Sequence, residues 1–291
     1  MNDINQLRNG NLTKLVFLPK TACMKSLWLW ILAIILAVSV MVYQRMTGPT
    51  TPVRGSVEYL GETVKYKMLR TWGGSDGARI EVKTNHPDAA GVVQYRRFRS
   101  NDEWKVLVLK NDNGLLSAQL PALPPAGKMM YQVFLFERNN HVALTEDPVV
   151  LRYKGEVPLW VLIPHVLFMV LSMVICIRAG LEAIKRRKQL VSLTFWSMLT
   201  LLIGGLILGP IVQKYAFDAY WTGWPFGHDL TDNKTAISFI LWVVAYFIIR
   251  KNPQKRGWVL AACILQLAVY LIPHSVLGSE IDFTQPQYHQ P

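Results

Sequence analysis

The chain has 291 residues, of which 51% are hydrophobic and 17% are charged, and its formal net charge at pH 7 is +12. The basic residues are grouped beside apolar stretches and do not line a polar face, so no nucleic-acid partner is expected. The three cysteines include no CxxC pair. This excludes a disulfide framework and gives no sign of a cysteine-based zinc or redox site.

Five apolar stretches are long enough, or nearly so, to cross the ~30 Å hydrocarbon layer of a membrane as helices. They are Leu27–Tyr43, Leu159–Ile177, Leu190–Val212, Asp232–Ile249 and Trp258–Ile272. The polar and basic residues 1–26 precede the first stretch and form a longer leader than the charged region of a signal peptide. We therefore predict a retained signal anchor, with a cleaved signal peptide as the alternative.

Basic clusters alternate with these stretches along the chain. They lie before the first stretch (Arg8, Lys14, Lys20, Lys25), between the second and third (Arg178, Lys185–Lys188), and between the fourth and fifth (Arg250, Lys251, Lys255, Arg256). Cytoplasmic loops of membrane proteins carry an excess of Lys and Arg. The sequence thus predicts a bacterial inner-membrane protein with a cytoplasmic N-terminus. Residues 47–157 and the tail, residues 275–291, are predicted to be periplasmic.

Residues 47–157 alternate between apolar and polar side chains and contain frequent turn signals. Eight short strands are predicted there: Val53–Tyr59, Thr63–Leu69, Ala78–Lys83, Gly91–Phe98, Trp104–Leu109, Leu115–Leu120, Met129–Glu137 and Pro148–Tyr153. Strands of this number and length indicate an antiparallel β-sandwich. The predicted fold class is α+β, with an all-β sandwich inserted between the first two of five transmembrane helices and the other four helices in residues 158–274.

This region resembles fibronectin type III and immunoglobulin-like modules at Val93–Arg97, Trp104, Gly114–Ala118, Pro125–Gly127 and Tyr131–Val133. The immunoglobulin cysteine pair is absent. The chain is also similar to uncharacterised bacterial envelope proteins that carry such a domain after their first helix. The resemblance covers about a third of the chain and implies a fold, without an activity.

The linkers on either side of this region are short: Thr47–Pro52 follows the first helix and Lys154–Pro158 precedes the second. Linkers of this length keep the domain low over the membrane surface. We therefore expect the domain to lie close to the loop Tyr215–Thr235.

Three histidines fall at the predicted periplasmic ends of the spans or in that loop: His165, His228 and His274. Imidazole nitrogens bind zinc, copper or haem iron, and Asp229 or Asp232 would complete a ligand set. The spacings match no short metal motif. The other interpretation is that each histidine bonds to backbone or lipid headgroups at the membrane interface, although a polar group at the depth of His165 usually has a partner.

The loop Tyr215–Thr235 is aromatic in its first half and polar in its second. One interpretation is an aromatic belt at the headgroups, followed by Thr231 or Asp232 as the N-cap of the next helix. The other is a docking or lid surface formed by Trp221, Trp224, Phe226, Asp229 and Asp232. Such a set of aromatics and carboxylates is also typical of sugar-binding surfaces.

Small residues in the third span, Gly205 and Gly209, form a GxxxG pattern typical of close helix packing, more often within one chain than between chains. No Asp, Glu, Lys or Arg occurs in the apolar cores of the predicted spans, where Gln266 and His165 are the main polar residues. Ion-coupled transporters usually need charged groups there, so the sequence argues against a transporter.

Three functions are compatible with these features. The first is an accessory or assembly subunit of an envelope complex, which contacts the bilayer and other membrane or periplasmic proteins through its sandwich and needs no cofactor. The second is a redox protein that binds haem or a transition metal through His165, His228 and His274. The third is a lipid- or glycan-modifying enzyme that uses Asp229 and Asp232.

Overall fold

The computed structural model describes residues 20–137, 140–185, 188–272 and 280–285. These residues form five helices and three β-sheets, and the sheets lie between the first helix and the other four. The predicted α+β class is therefore confirmed. The helices are α1 (Lys20–Thr47), α2 (Leu159–Lys185), α3 (Leu190–Phe217), α4 (Leu230–Lys251) and α5 (Gly257–Leu271).

Four of the helices are long and apolar enough to cross a membrane: Ser26–Thr47 within α1, and the whole of α2, α3 and α4. The apolar helix α5 is shorter. Large apolar side chains are exposed on the outside of the bundle, among them Trp28, Ile163, Trp196 and Ile264. A water-soluble bundle turns such side chains inward, so this is the surface of a membrane protein.

The second helix is longer than predicted. It continues past Ile177 to Lys185, so Arg178 lies inside α2 and not in the connection to α3. The prediction was wrong because a charge after an apolar run was taken as the end of the helix. A helix continues through such a residue when the charged side chain finds a partner within the fold.

The N-cap of α4 also differs from the prediction. The cap is Asp229, not Thr231 or Asp232, and the helix begins at Leu230. One carboxylate oxygen of Asp229 accepts hydrogen bonds from the backbone N–H groups of Thr231 (2.7 Å) and Asp232 (3.4 Å). A carboxylate in this position satisfies otherwise unpaired N–H groups of the first turn.

The two ends of the bundle differ in charge. We call one end the basic end, because it carries Lys185, Lys188, Arg250, Lys251, Lys255 and Arg256. We call the other end the β end, because α1 leaves it toward the sheets and α2 enters it from them.

The third helix contains a π-helical segment, Leu202–Leu208, near the middle of its length. In this segment the N–H of Gly209 donates to the carbonyl of Gly204, five residues earlier. Pro210 follows and has no N–H to continue the ordinary helical ladder. The sequence therefore supplies a local reason for the irregularity, and such segments often lie at functional sites.

The β-domain contains eleven strands within the described residues. They are β1 (Val53–Tyr59), β2 (Glu62–Met68), β3 (Thr71–Gly73), β4 (Arg79–Lys83), β5 (Ala90–Arg97), β6 (Lys105–Val108), β7 (Lys110–Asp112), β8 (Leu115–Gln119), β9 (Lys128–Glu137), β10 (Asn140–Ala143) and β11 (Val149–Lys154). All eight predicted strands are present, and β3, β7 and β10 are additional. The strands form a β1–β2 hairpin, a three-stranded sheet in the order β4-β8-β7, and a six-stranded sheet in the order β3-β11-β9-β5-β6, with β10 beside β9.

Residues of these sheets share one apolar core. Alternate residues of several strands belong to it, as in β4, where Ile80 and Val82 are buried between exposed neighbours. The hydroxyls of two buried tyrosines donate hydrogen bonds to backbone carbonyls. Tyr131 donates to the carbonyl of Leu69, and Tyr153 donates to the carbonyl of Pro121. Both of these buried hydroxyls therefore have an acceptor inside the domain.

The β-domain rests directly on the β end of the bundle. The N–H of Gly155 donates to the carbonyl of Ala216 at the end of α3 (2.9 Å). A Cβ added to Gly155 would lie 2.2 Å from the carbonyl oxygen of Tyr215, so only glycine allows this approach. The tail also packs on the domain, where Phe283 is buried. The predicted closeness of domain and loop is confirmed by these contacts.

Candidate functional site

Carboxylates tie the loop between α3 and α4 to the start of α4. Asp232 Oδ2 accepts hydrogen bonds from the backbone N–H groups of Thr222 (2.7 Å) and Gly223 (3.0 Å) and from Gln213 Nε2 (3.2 Å). Asp229 accepts one from the hydroxyl of Thr222. Both carboxylates are buried. They serve as hydrogen-bond acceptors inside the fold.

The aromatic residues of this loop have different exposures. Trp221 is partly buried, and its Nε1 donates to the carbonyl of Trp224 (3.1 Å). The side chains of Trp224 and Phe226 are 76% and 82% exposed. Of the five residues predicted to form an interaction surface, these two therefore face outward, while Trp221, Asp229 and Asp232 hold the loop together.

A cavity of about 160 Å³, which we call the polar pocket, lies between α2, α3 and the start of α4. Its polar lining includes His165, Gln213, Asp229, Asp232 and Thr235. These residues come from three separate segments of the chain. The sequence singled out three of them, whereas Gln213 and Thr235 gave no signal of their own.

His165 has a defined partner within the helices. Its Nδ1 lies 2.9 Å from the carbonyl oxygen of Gly204, in the π-helical segment of α3. A carbonyl only accepts, so in a neutral imidazole Nδ1 carries the proton and Nε2 carries the lone pair. His165 is therefore bonded to backbone, as in the interface interpretation of this residue, and its Nε2 remains a potential base or ligand.

The other two histidines do not join His165 in a described cluster. His228 is exposed on the loop, and His274 lies outside the described residues. Among the described residues, no group of three or more His, Cys, Asp or Glu side chains has the arrangement of a metal site. Within the described part of the chain, the predicted ligands therefore do not form a group of three.

The glycines of α3 lie at close helix contacts. A Cβ added to Gly205 would lie 2.7 Å from Thr235 Cγ2 of α4, and one added to Gly204 would lie 3.0 Å from Met169 Sδ of α2. A Cβ on Gly209 would have more space, with the nearest atom 3.5 Å away. The tight packing within the chain thus involves Gly204 and Gly205 more than Gly209.

A polar network centred on Gln266 links three helices of the bundle. Gln266 is one of the two main polar residues that the sequence places in the apolar spans. Its Oε1 accepts a hydrogen bond from Trp242 Nε1 of α4, and its Nε2 donates to Ser172 Oγ of α2 (3.0 Å). All three residues are fully buried or nearly so. Because each amide group has a partner, this network is a structural link among α2, α4 and α5.

A buried ion pair near the basic end was missed by the sequence reading. Arg178 Nη1 lies 2.6 Å from Glu182 Oε2, and the two side chains are 0% and 1% exposed. The second oxygen of Glu182 accepts the backbone N–H of Gln189 (3.0 Å), and the guanidinium lies over the ring of Trp30 (5.4 Å). The i,i+4 spacing was the available signal, because it places the two side chains on one helix face.

A second cavity, of about 780 Å³, lies where the β-domain meets the β end of the bundle. We call it the junction cavity. Four cations line it, namely Arg70, Lys128, Arg152 and Lys154, together with one carboxylate, Glu156. Apolar residues of α2 and α3, including Leu162 and Val212, complete the lining.

Two of these cations have strong local partners. Lys128 pairs with Glu280 of the tail. The guanidinium of Arg152 lies over the ring of Phe217 (4.2 Å), and burial lowers the pKa of Arg152 while the carboxylates of Asp229 and Glu280 oppose that shift. Within the described residues, Arg70 and Lys154 form no ion pair. The cavity therefore has an excess of positive charge.

The outer face of the six-stranded sheet is apolar near one edge. Val106 and Val108 of the edge strand β6 are 54% and 74% exposed, and Phe136 of β9 is 45% exposed. The register places Val108 opposite Val92, so their side chains share this face. This patch belongs to the β-domain and lies away from the loop that the sequence had emphasised.

No family model, curated protein or solved structure matches the chain.

Proposed function

We propose that the chain is an inner-membrane protein that presents a β-sandwich on the periplasmic side to another protein, as an accessory or assembly subunit of an envelope complex. The observation that carries the proposal is the free edge of β6, which exposes both backbone hydrogen-bonding groups and valine side chains. The occupant we assign to this edge is an extended segment of a partner protein, added as a further strand.

A sandwich is supported by the way the sheets share their core. Inward residues of the three-stranded sheet, such as Leu116, and of the six-stranded sheet, such as Val133 and Leu135, belong to the same buried cluster. Antiparallel sheets that bury one face each against the other have this alternation.

Five crossings are supported by the contact of the tail with the β-domain. Glu280 pairs with Lys128 and Arg99, so the tail and the domain lie on one side of the membrane. The chain must then cross an even number of times between them, and α5 adds the fourth crossing to those of α2, α3 and α4. Its 15 residues reach only ~22 Å, which membranes accommodate by local thinning.

The orientation is supported by the distribution of charge. The basic end carries the cations of both connections between helices that lie opposite the β-domain, and such connections are cytoplasmic by the positive-inside bias. The β-domain, the loop with Trp224 and the tail are then periplasmic.

The edge of β6 is open for pairing. The N–H of Leu109 donates to Gly91 of β5 (2.9 Å), and hydrogen-bonding direction alternates along a strand. The backbone groups of Val106 and Val108 therefore point away from β5, and β6 ends the order of the sheet. Edge strands of natural sheets often carry charged residues or proline, which prevent pairing with another chain. In β6 these two positions are valines.

The position of this edge distinguishes a protein partner from lipid. Strand β9 begins at Lys128, which lines the junction cavity, and runs toward Phe136. Val108 is level with Phe134 through Val92, so it lies ~20 Å along the sheet from the junction at the usual rise per residue. Lipid chains that surround the helices do not cover a surface there.

Photocrosslinking in native membranes tests the proposal. Val106→benzoylphenylalanine is expected to form an adduct with an extended segment of another protein, located by mass spectrometry. Adding Val108→Pro removes an outward N–H without breaking the ladder to β5. We expect the adduct to fall about tenfold, the equivalent of ~1.4 kcal/mol.

Two controls make the result specific. Val108→Thr keeps the N–H and should keep the adduct, and Glu81→benzoylphenylalanine, on the exposed face of β4, should not form it. Crosslinks only to lipid or to a second copy of the chain, or an adduct that is unchanged by Val108→Pro, would overturn the proposal.

A further inference from the structure

We propose that the junction cavity binds the phosphate-bearing headgroup of an anionic phospholipid. The proposal rests on the four cations that line the cavity, on the apolar helix residues beside them, and on its place at the level where the helices leave the membrane. It is independent of the docking edge on β6, although one argument below uses the proposed orientation.

The charge in the cavity calls for an anion. Arg70, Lys128, Arg152 and Lys154 face a volume that holds only one carboxylate of its own lining, Glu156. Glu280 of the tail pairs with Lys128 and with Arg99, and the carboxylates of Asp229 and Glu280 also act on the charge of Arg152. Like charges that share a partly enclosed space repel each other more strongly than they would in bulk water. A bound phosphate, which carries negative charge on several acceptor oxygens, removes this repulsion and accepts hydrogen bonds from Arg and Lys.

Membrane insertion does not explain these cations. Arg152 and Lys154 lie within a few residues of the start of α2 at Leu159. In the proposed orientation this is the periplasmic side, where the positive-inside bias disfavours Lys and Arg next to a span. Their concentration at this end therefore has another cause, and ligand binding supplies one.

The shape and the second half of the lining point to an amphiphile. A volume of about 780 Å³ is within the range of ligand sites, roughly 300–1,000 Å³. All four cations come from the β-domain, whereas Leu162, Val212 and Phe217 come from the ends of α2 and α3. A headgroup phosphate at the cations and an acyl chain along the helix residues would satisfy both surfaces.

Arg70 and Lys154 are the residues best suited to a test. Neither forms an ion pair within the described part of the chain, and neither is buried, so their removal leaves no buried carboxylate behind. Lys65 and Lys67 provide a matched control, because they are exposed on β2 and do not line the cavity.

The experiment uses the full chain in nanodiscs that contain equal amounts of phosphatidylglycerol and phosphatidylcholine. Native mass spectrometry after release measures the ratio of the two lipids retained. The unmodified protein is expected to retain phosphatidylglycerol preferentially. Because each cation near the lipid surface strengthens the binding of an anionic lipid, Arg70→Ala combined with Lys154→Ala should reduce the preference about tenfold or more.

The controls separate the possible sources of the phosphate. Lys65→Ala combined with Lys67→Ala should leave the preference unchanged, and Arg70→Lys should keep most of it. Equal retention of both lipids by the unmodified protein, or an undiminished preference in the Arg70/Lys154 double variant, would overturn the proposal. If inorganic phosphate raises the melting temperature of the unmodified protein but not of the double variant, and no lipid preference is found, the ligand is free phosphate and the lipid assignment fails. None of these outcomes bears on crosslinking from β6.

Discussion

Near the basic end, Arg178 and Glu182 form a buried ion pair within one helix, whereas at the β end four cations line one cavity with a single carboxylate among them. The first arrangement is electrically neutral, because the guanidinium and the carboxylate neutralise each other, and the backbone N–H of Gln189 donates to the second carboxylate oxygen. The junction cavity, in contrast, has more cations than carboxylates in its lining.

This difference separates structural charge from charge available for binding. A charge that is matched within the fold contributes to folding only, and removing its partner leaves it buried and uncompensated. A charged side chain that lines a cavity and has no ion-pair partner can bind a ligand of opposite charge. The loop carboxylates belong to the first kind, since Asp232 accepts backbone N–H groups. The cations Arg70 and Lys154 belong to the second.

The largest loss of stability is expected when Arg178 is removed from its buried ion pair with Glu182. Arg178→Ala leaves Glu182 buried without its cation and should destabilise the protein by about 3–5 kcal/mol. Thermal and denaturant unfolding of the purified protein in detergent would measure this loss.

The double variant sharpens the same test. Arg178→Met combined with Glu182→Leu removes both charges and should recover most of the stability. Lys185→Ala, at an exposed cation on the same helix, should change little. A single variant as stable as the parent would show that Arg178 and Glu182 are not coupled as described.

A smaller effect is expected from the loop carboxylate. Asp232→Asn removes the charge from hydrogen bonds to Thr222 and Gly223, and we expect a loss of about 2 kcal/mol. Asp218→Asn is the matched control, because the Asp218 side chain is 77% exposed and pairs with Lys214 at the surface. The difference in unfolding free energy between the two variants is the measurement. Equal stabilities would mean that the loop does not depend on Asp232.

The smallest loss of stability is expected at the ion pair of Arg97 and Asp102 near the surface of the β-domain. Arg97 donates to both oxygens of Asp102 (2.7 and 2.8 Å), and this hydrogen bonding holds the pKa of Asp102 below its usual value of 3.8. A depressed carboxyl pKa stabilises the fold above the unfolded pKa, and the stabilisation is lost as pH falls through the folded pKa.

We therefore expect Asp102→Asn to destabilise the domain by about 1 kcal/mol or less above pH 3.8, while the parent and the variant converge at lower pH. Tryptophan fluorescence during unfolding, recorded across this pH range, would test it. Asp112→Asn, on the exposed strand β7, serves as the control. A constant difference at all pH values would contradict the role of the Asp102 charge.

The strands were predicted well because burial alternates along them. In β4 the apolar residues occur at every second position, and this period is visible in the sequence. The strands that were missed, β3, β7 and β10, have only three or four residues, too few to display a period. Arg178 was misplaced because its partner Glu182 was not considered with it.

The functional residues were predicted less well. The sequence singled out Asp229, Asp232 and His165, and the structure brings these three to one pocket. It gave no reason to associate Arg70, Lys128 and Arg152, which are far apart along the chain and belong to different strands or turns. The exposed valines of β6 looked like any other part of an alternating strand.

The amino-acid sequence by itself determined the five helices and eight of the eleven described strands, since hydrophobic period and turn residues act over short distances along the chain. Only the tertiary structure decided which charged side chains form ion pairs and that the edge of β6 remains unpaired among the described strands. Matching of charge and burial of a sheet face depend on groups brought together from distant segments, and local periodicity carries no information about which segments will meet.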